Sequence, residues 1–184
     1  MLQLCDSNFP SGAFSHSFGL ESYIQEQTVH NKEMFFQWLK VYLEKQLCYT
    51  EGLACRLAYE ALQENQVDEI WKWDQLLYVQ SLPMESREAN RRIGERMIRM
   101  GIDLYDIPLL TDFLARIRNK KAFGHPTLAY SMISHYLQIG NKETILTFLY
   151  SNIVTLVQNG VRGIPLGQTD GQRLLLEIQP SLLR

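Results

Sequence analysis

The stretch Lys142–Val161, which reads KETILTFLYSNIVTLVQNGV, decides the fold of this chain. Its apolar residues fall on most sides of a helix rather than on one stripe; they are Ile145, Leu146, Phe148, Leu149, Ile153, Val154, Leu156 and Val157. A helix that is apolar all round is buried within a protein or lies in a membrane. Thr147, Ser151 and Thr155 interrupt the run before it reaches the ~20 apolar residues that a membrane span needs. We therefore expect a buried helix at the centre of a helical bundle.

Helical periodicity continues on the N-terminal side of this stretch. Asn31 is the expected N-cap of a helix over Lys32–Cys48, and a break is expected at Thr50–Gly52 before the next helix begins. Further along, Asp106 is placed to cap another helix. The alternation typical of strands, with paired turn signals, does not occur. The sequence predicts an all-α, single-domain bundle of about nine helices around a central buried helix, over residues 1–184.

The composition narrows the class of protein. The chain has 184 residues, of which 46% are hydrophobic and 21% charged, with a net charge of -2. This balance excludes an intrinsically disordered chain and gives no basic excess to attract nucleic acid. The N-terminal sequence MLQLCDSNFPSGAF lacks the basic and apolar segments of a signal peptide. We expect a soluble cytoplasmic protein, without nucleic-acid or membrane partners, whose residues 1–20 form a flexible segment.

No catalytic or metal-binding pattern stands out. The histidines are His16, His30, His125 and His135, and none has the spacing of a zinc-binding helix. Cys48 and Cys55 are expected to be buried thiols rather than ligands of a soft metal. The glycine-rich stretch Gly160–Gly171 is not a phosphate loop, because Gln168 and Thr169 stand where that loop needs Lys and Ser or Thr. The sequence therefore predicts no catalytic residue, no metal and no cofactor.

A charged helix over Ser86–Arg99 has two interpretations. One half of it carries Arg87, Glu88, Arg91, Arg92, Glu95, Arg96 and Arg99. It is either a solvated face crossed by ion pairs of a few tenths of a kcal/mol each, or a surface whose surplus arginines bind a partner. The pairs expected on the first interpretation are Glu88–Arg92, Arg91–Glu95 and Glu95–Arg99.

The glycine-rich stretch near the C-terminus also has two interpretations. Its polar residues are Arg162, Gln168, Asp170, Gln172 and Arg173. The glycines allow a sharp turn between two helices, with Arg162 and Asp170 pairing to hold the last helix in place. Alternatively, they let another protein approach the backbone. Composition and spacing leave both interpretations open.

Four segments, taken in order, resemble the urease accessory protein UreF family. The segments are Leu2–Glu21 (LQLCDSNFPSGAFSHSFGLE), Arg87-Glu88 leading to Gly94, Gly124-His125, and Arg162–Gln172 (RGIPLGQTDGQ). The first and last are long, and together the four span nearly the whole chain. Family members usually continue into a C-terminal tail with a Ser-Arg-Leu-Phe-like sequence, which is not found after Gln172 here.

The resemblance implies a function without catalysis. It implies an all-α homodimeric scaffold that joins a urease-binding accessory protein of the UreD/UreH type to a nickel-carrying GTPase of the UreG type. Through that complex the protein would help to insert nickel into apo-urease. A direct GTPase-activating role, with an arginine reaching the partner's active site, stays open. So does a role as nickel carrier through His16, His125 or Cys5.

The residues that we expect to bind partners lie in the four segments. They are His16, Glu21, Arg87, Glu88, Arg91, Arg162, Gln168, Asp170, Gln172 and Arg173.

Overall fold

The computed structural model describes residues 19–183, and every regular element in that range is helical. The elements are α1 (Leu20–Gln25), α2 (Lys32–Val41), a π-helical segment (Tyr42–Gly52), α3 (Leu53–Gln63), α4 (Val67–Gln80), α5 (Met84–Tyr105), α6 (Pro108–Arg118), α7 (Pro126–Tyr136), α8 (Asn141–Gly163) and α9 (Gln168–Leu182). The predicted all-α class is therefore confirmed. The expectations for the N-terminal segment and for His16 concern residues outside the described range.

Two helix ends test the capping predictions. Asn31 accepts a hydrogen bond from the backbone N–H of Met34 at 2.9 Å, which confirms it as the N-cap of α2. The prediction for Asp106 is wrong: it ends α5 in a left-handed conformation (φ 50°, ψ 49°). The N-cap position of α6 is taken by Ile107, the residue before Pro108, where the helix begins. Asp tolerates left-handed angles better than most residues other than glycine, which accounts for its position.

The predicted break at Thr50–Gly52 is also wrong. The chain continues from α2 through the π-helical segment into α3, and Gly52 has ordinary helical angles (φ -63°, ψ -45°). The N–H of Leu53 donates to the carbonyl of Cys48, five residues back, as in a π-helix. A Cβ at position 52 would lie 3.2 Å from a methyl group of Leu149. The glycine therefore permits close packing against α8 instead of turning the chain.

The most deeply buried helix is α7 rather than α8, which the sequence placed at the centre. Every residue from Thr127 to Ser134 is buried, because α7 packs on α3, α5, α6 and α8. In contrast, α8 buries a stripe of side chains and leaves most of the others half exposed. The Ser131 hydroxyl donates to the carbonyls of Thr127 (3.0 Å) and Cys55 (3.1 Å). Internal hydrogen bonds of this kind let small polar residues stand in a core that hydrophobicity alone would not indicate.

Candidate partner-binding surfaces

The first candidate surface, here called the arginine face, comprises Arg87, Arg91, Arg92, Arg96 and Arg99 on α5. Arg91 bonds Glu88 at 3.2 Å and approaches Glu95 at 3.8 Å, while Arg99 bonds Glu95 at 2.6 Å. The expected Glu88–Arg92 pair is wrong, because Glu88 is paired with Arg91. Arg92 and Arg96 are exposed and form no ion pair with any residue in the described range. Two guanidinium groups of this face are therefore available to an external anion.

Arg87 stands apart from the ion pairs because an aromatic stack holds it. Its guanidinium lies 5.6 Å from the centre of the Tyr78 ring, within the range of cation–π attraction. Tyr78 in turn stacks on Phe123, with ring centres 3.8 Å apart and planes 10° from parallel. The stack connects α4, α5 and the loop before α7. It restrains Arg87 at one end of the arginine face.

The loop that supplies Phe123 is held by a buried carboxylate. Asp74 accepts hydrogen bonds from the backbone N–H groups of Phe123 (2.5 Å), Gly124 (3.3 Å) and His125 (2.8 Å). Burial raises the pKa of Asp74 above its ordinary value, although the three hydrogen bonds act in the opposite direction. Asp74 follows Ile70 by four residues, on the buried face of α4. An acidic residue in an apolar stripe was the signal by which the sequence could have revealed this anchor.

Two of the segments noted in the sequence meet at this loop. Gly94 on α5 faces Gly124, and a Cβ at position 94 would overlap the Gly124 carbonyl oxygen and lie 3.0 Å from the nitrogen of Pro126. Gly124 has a φ of +81°, a conformation that favours glycine. The Arg87-to-Gly94 and Gly124-His125 segments therefore form one structural unit, in which glycines bring the loop against the helix that carries the arginines.

His125 has a structural position rather than an exposed one. It caps α7, since its Nδ1 accepts a hydrogen bond from the N–H of Thr127 at 3.4 Å. Burial lowers the pKa of His125 to about 3, so the ring is neutral at physiological pH. A buried imidazole whose Nδ1 is engaged in capping α7 offers little to support the interpretation of His125 as a ligand for carried nickel. His16 and Cys5, named with it, precede residue 19.

The second candidate surface, here called the C-terminal turn, comprises residues 162–173. Asp170 bonds Arg173 at 3.4 Å and accepts the N–H of Gly167 at 3.4 Å. Arg162 donates to the side-chain oxygen of Asn159. The Arg162–Asp170 pair expected on the structural interpretation is therefore wrong, because each residue is engaged by a nearer neighbour.

Two of its neighbouring glycines serve packing. A Cβ at Gly160 would overlap the ring of Phe35, and one at Gly171 would lie 2.9 Å from a methyl group of Val161. The polar side chains of the turn face the other way: Gln168, Gln172 and Arg173 are exposed, as is Arg162. Gly160 and Gly171 therefore fit the structural interpretation, while binding of a partner by the exposed polar groups stays a prediction.

The two surfaces are built on different sets of helices. The arginine face belongs to α5, which packs chiefly on α6 and α7. The C-terminal turn joins α8 to α9, and α9 packs chiefly on α8 and α2. Glu21, another predicted contact residue, is exposed on α1, which packs on α8. The structure therefore brings Glu21 to the same group of helices as the C-terminal turn and keeps Arg87, Glu88 and Arg91 on the other group.

Residues 19–183 hold neither a cluster of metal ligands nor a membrane-spanning helix. No three His, Cys, Asp or Glu side chains in that range converge in a way that could hold a metal ion. Burial raises the pKa of the Cys55 thiol to about 12, and Cys48, which is half buried, also has a raised pKa. None of the helices in this part of the chain combines the length and apolar character needed to cross a bilayer.

Comparison with known proteins adds the family. The model of the UreF family matches residues 29–179. The chain is 49% identical over 182 residues to the urease accessory protein UreF of Bacillus sp. (strain TB-90), covering 99% of this chain and 80% of that protein. It is 54% identical over 179 residues to the urease accessory protein UreF of Lachnoclostridium phytofermentans, covering 97% of this chain and 78% of that protein.

These matches identify the chain as an accessory protein of urease rather than as a catalytic enzyme. Within that class, it belongs to the UreF family.

Proposed function

We propose that the protein is a cytoplasmic, homodimeric scaffold that joins a urease-binding accessory protein of the UreD/UreH type to a nickel-carrying GTPase of the UreG type. In this role it acts as a chaperone during insertion of nickel into apo-urease. Nickel is cargo of the assembled complex, and the scaffold itself performs no covalent step. Membership of the UreF family and the resemblance of the four segments support the proposal.

One observation carries the scaffold role: the two polar surfaces lie on separate groups of helices. The arginine face, on α5, carries a local positive surplus that suits an acidic partner. The C-terminal turn presents amides and charges that suit directional hydrogen bonds. Because α5 and α9 pack chiefly on different neighbours, we expect that each surface can bind a partner of its own. We assign the GTPase to the arginine face and a second protein contact to the C-terminal turn.

Co-purification tests this proposal directly. The tagged chain is mixed with the urease-binding accessory protein, with the GTPase, or with both. The molar masses of the eluted complexes are then measured by light scattering. We expect a binary complex with each partner and a ternary complex with both. In a parallel mixture without this chain, the other two proteins should not elute together. Competition between the partners for one surface would contradict the scaffold role.

A second candidate function is stimulation of GTP hydrolysis by the partner. Arg92 and Arg96 favour it, because exposed guanidinium groups without acidic partners in the described range could enter an active site as arginine fingers do. Single-turnover GTP hydrolysis by the GTPase, with and without this chain, separates the two functions. An arginine finger accelerates hydrolysis by about 10³- to 10⁵-fold, whereas a pure scaffold leaves the rate nearly unchanged.

A further inference from the structure

A pocket of about 310 Å³ opens where the π-helical segment, the turn after α4 and the start of α5 meet. Glu51, Asn90 and His125 contribute polar groups to its wall, and Tyr42 contributes an aromatic ring. Leu82 lies at its edge and is 83% exposed. Neither the arginine face nor the C-terminal turn accounts for this pocket.

The pocket has an acidic group in its wall and no matching cationic side chain among the described lining residues. Glu51 is the only acidic residue among the described lining, which includes no lysine or arginine, and burial lowers the pKa of His125 to about 3. Its carboxyl accepts a hydrogen bond from the neighbouring Thr50 hydroxyl, and burial raises its pKa. Ionising a poorly solvated carboxyl is costly unless an opposite charge comes close. The pocket around Glu51 therefore favours a cationic ligand.

Asn90 gives an independent indication of a ligand. It is only 9% exposed and lines the pocket, yet its side-chain amide forms no hydrogen bond with any residue in the described range. The polar atoms of this amide are not shielded from solvent, so they open into the pocket. An amide that is left unpaired in a pocket wall can offer its oxygen to an incoming donor. The pocket thus presents two acceptors, a carboxylate and an amide oxygen.

We propose that this pocket receives an arginine side chain presented by a protein partner. A guanidinium carries five N–H donors in a planar fork, which can serve more than one acceptor in the pocket, and it is less strongly hydrated than an ammonium. Both properties favour arginine over lysine.

The rim of the pocket favours a protein as the source of the arginine. Leu82 lies close in sequence to Val79 and Met84, which are 61% and 73% exposed. Exposed apolar side chains grouped on one short stretch typically mark a protein interface. Arginine is also among the residues that most often dominate binding at the centre of such interfaces. The inference goes beyond the proposed function, because it does not depend on which protein supplies the arginine.

The test uses two probes that differ in charge but little in shape. N-acetyl-arginine methylamide and N-acetyl-citrulline methylamide are each titrated into the full isotope-labelled chain, followed by amide chemical shifts. We expect saturable shifts around Glu51, Asn90 and His125 with the arginine probe. Since a hydrogen bond to a charged group contributes about 1.5–3 kcal/mol, the citrulline probe should bind at least about tenfold more weakly.

Two variants complete the experiment. Glu51→Gln keeps the size of the side chain and should reduce affinity for the arginine probe at least about tenfold, with an unchanged circular dichroism spectrum. Glu64→Gln, an exposed position outside the pocket, removes the same charge and should bind like wild type. Equal affinity for the two probes, equal affinity of wild type and Glu51→Gln, or the absence of saturable shifts would each overturn the proposal. None of these outcomes bears on the assembly with the accessory proteins.

Discussion

Gly94 and Gly124 are in backbone contact across 30 positions of sequence, with no room for a methyl group between the helix and the loop. The Asp74 carboxylate accepts hydrogen bonds from the N–H groups of the same loop. The loop therefore joins α4 to α5 as one rigid unit. The arginine face stands on that unit. Its geometry therefore depends on residues that a partner would not touch.

Replacing Gly94 with alanine should destabilise the protein strongly. The added Cβ meets a backbone carbonyl, which cannot move aside as a flexible side chain can. We expect a loss of about 2–4 kcal/mol in the free energy of unfolding, at the upper end for overpacking, measured by urea denaturation. Gly167→Ala is the matched control, because its nearest neighbour is an Asp170 side-chain oxygen at 3.7 Å. A loss at Gly94 no larger than at Gly167 would contradict the close contact.

The Glu51 carboxyl should make stability depend on pH. Its pKa in the folded state is raised above the ordinary value of 4.5, so the folded protein retains this proton at pH values where the unfolded chain has lost it. Stability therefore falls as pH rises from about 4.5 through the folded pKa. Glu51→Gln should be more stable than wild type at neutral pH, and the difference should vanish below about pH 4.5. Urea titrations from pH 4 to pH 8 measure it; a constant difference across that range would refute the assignment.

Charge reversal at Arg92 and Arg96 should weaken binding of the GTPase. Both side chains are exposed and unpaired within the described range, so Arg92→Glu with Arg96→Glu changes the surface charge with little effect on the fold. Reversal at Arg87 and Arg91 should also weaken binding, but it additionally removes the contacts with Tyr78 and Glu88.

The matched control for this reversal is Lys120→Glu with Lys142→Glu, at two exposed positions outside α5. Surface plasmon resonance against the GTPase, repeated at two salt concentrations, gives the comparison. We expect at least about a tenfold rise in Kd for the Arg92/Arg96 variant and almost none for the control. If neither variant changes the affinity for the GTPase, the arginine face is a solvated surface that does not bind this partner.

Removing Arg162 should separate function from stability. The side chain is exposed and lies in the C-terminal turn, away from the buried stripe of α8. In a reconstituted system, Arg162→Ala should abolish nickel-dependent activation of urease while shifting the Tm by no more than a degree or two, about what a surface change causes. A fall in Tm of several degrees, with activation reduced only in proportion to the folded fraction, would make Arg162 a structural residue.

Self-association should involve the outer side of the long helix that runs through α2 and α3. Val41, Tyr49 and Leu53 are 59%, 71% and 41% exposed on it, and exposed apolar groups commonly mark interfaces. We expect light scattering at micromolar concentration to give twice the 21.4 kDa of one chain, and Tyr49→Glu to shift the population toward the monomer. A single 21.4 kDa species for the wild type would contradict a homodimer.

The sequence revealed local features well and long-range ones poorly. Helical periodicity and the Asn31 cap depend on neighbours within a few residues, and both predictions are confirmed. The burial of α7 depends on four helices closing around it, which no local pattern shows. The Asp74 anchor joins positions about 50 residues apart. The Glu88–Arg92 error is local instead: Arg91 and Arg92 are both within reach of Glu88 along one helix, and the carboxylate pairs with Arg91.

The π-helical segment limits which insertions and deletions the chain can tolerate. Because the segment joins α2 to α3 without a break, each residue added to or removed from Tyr42–Gly52 would rotate α3 about the helix axis relative to α2. Cys55, whose carbonyl now accepts the Ser131 hydroxyl, would then turn away from α7. The spacing between Val41 and Leu53 should therefore be invariant among relatives that keep this fold, even where the residues that fill it differ.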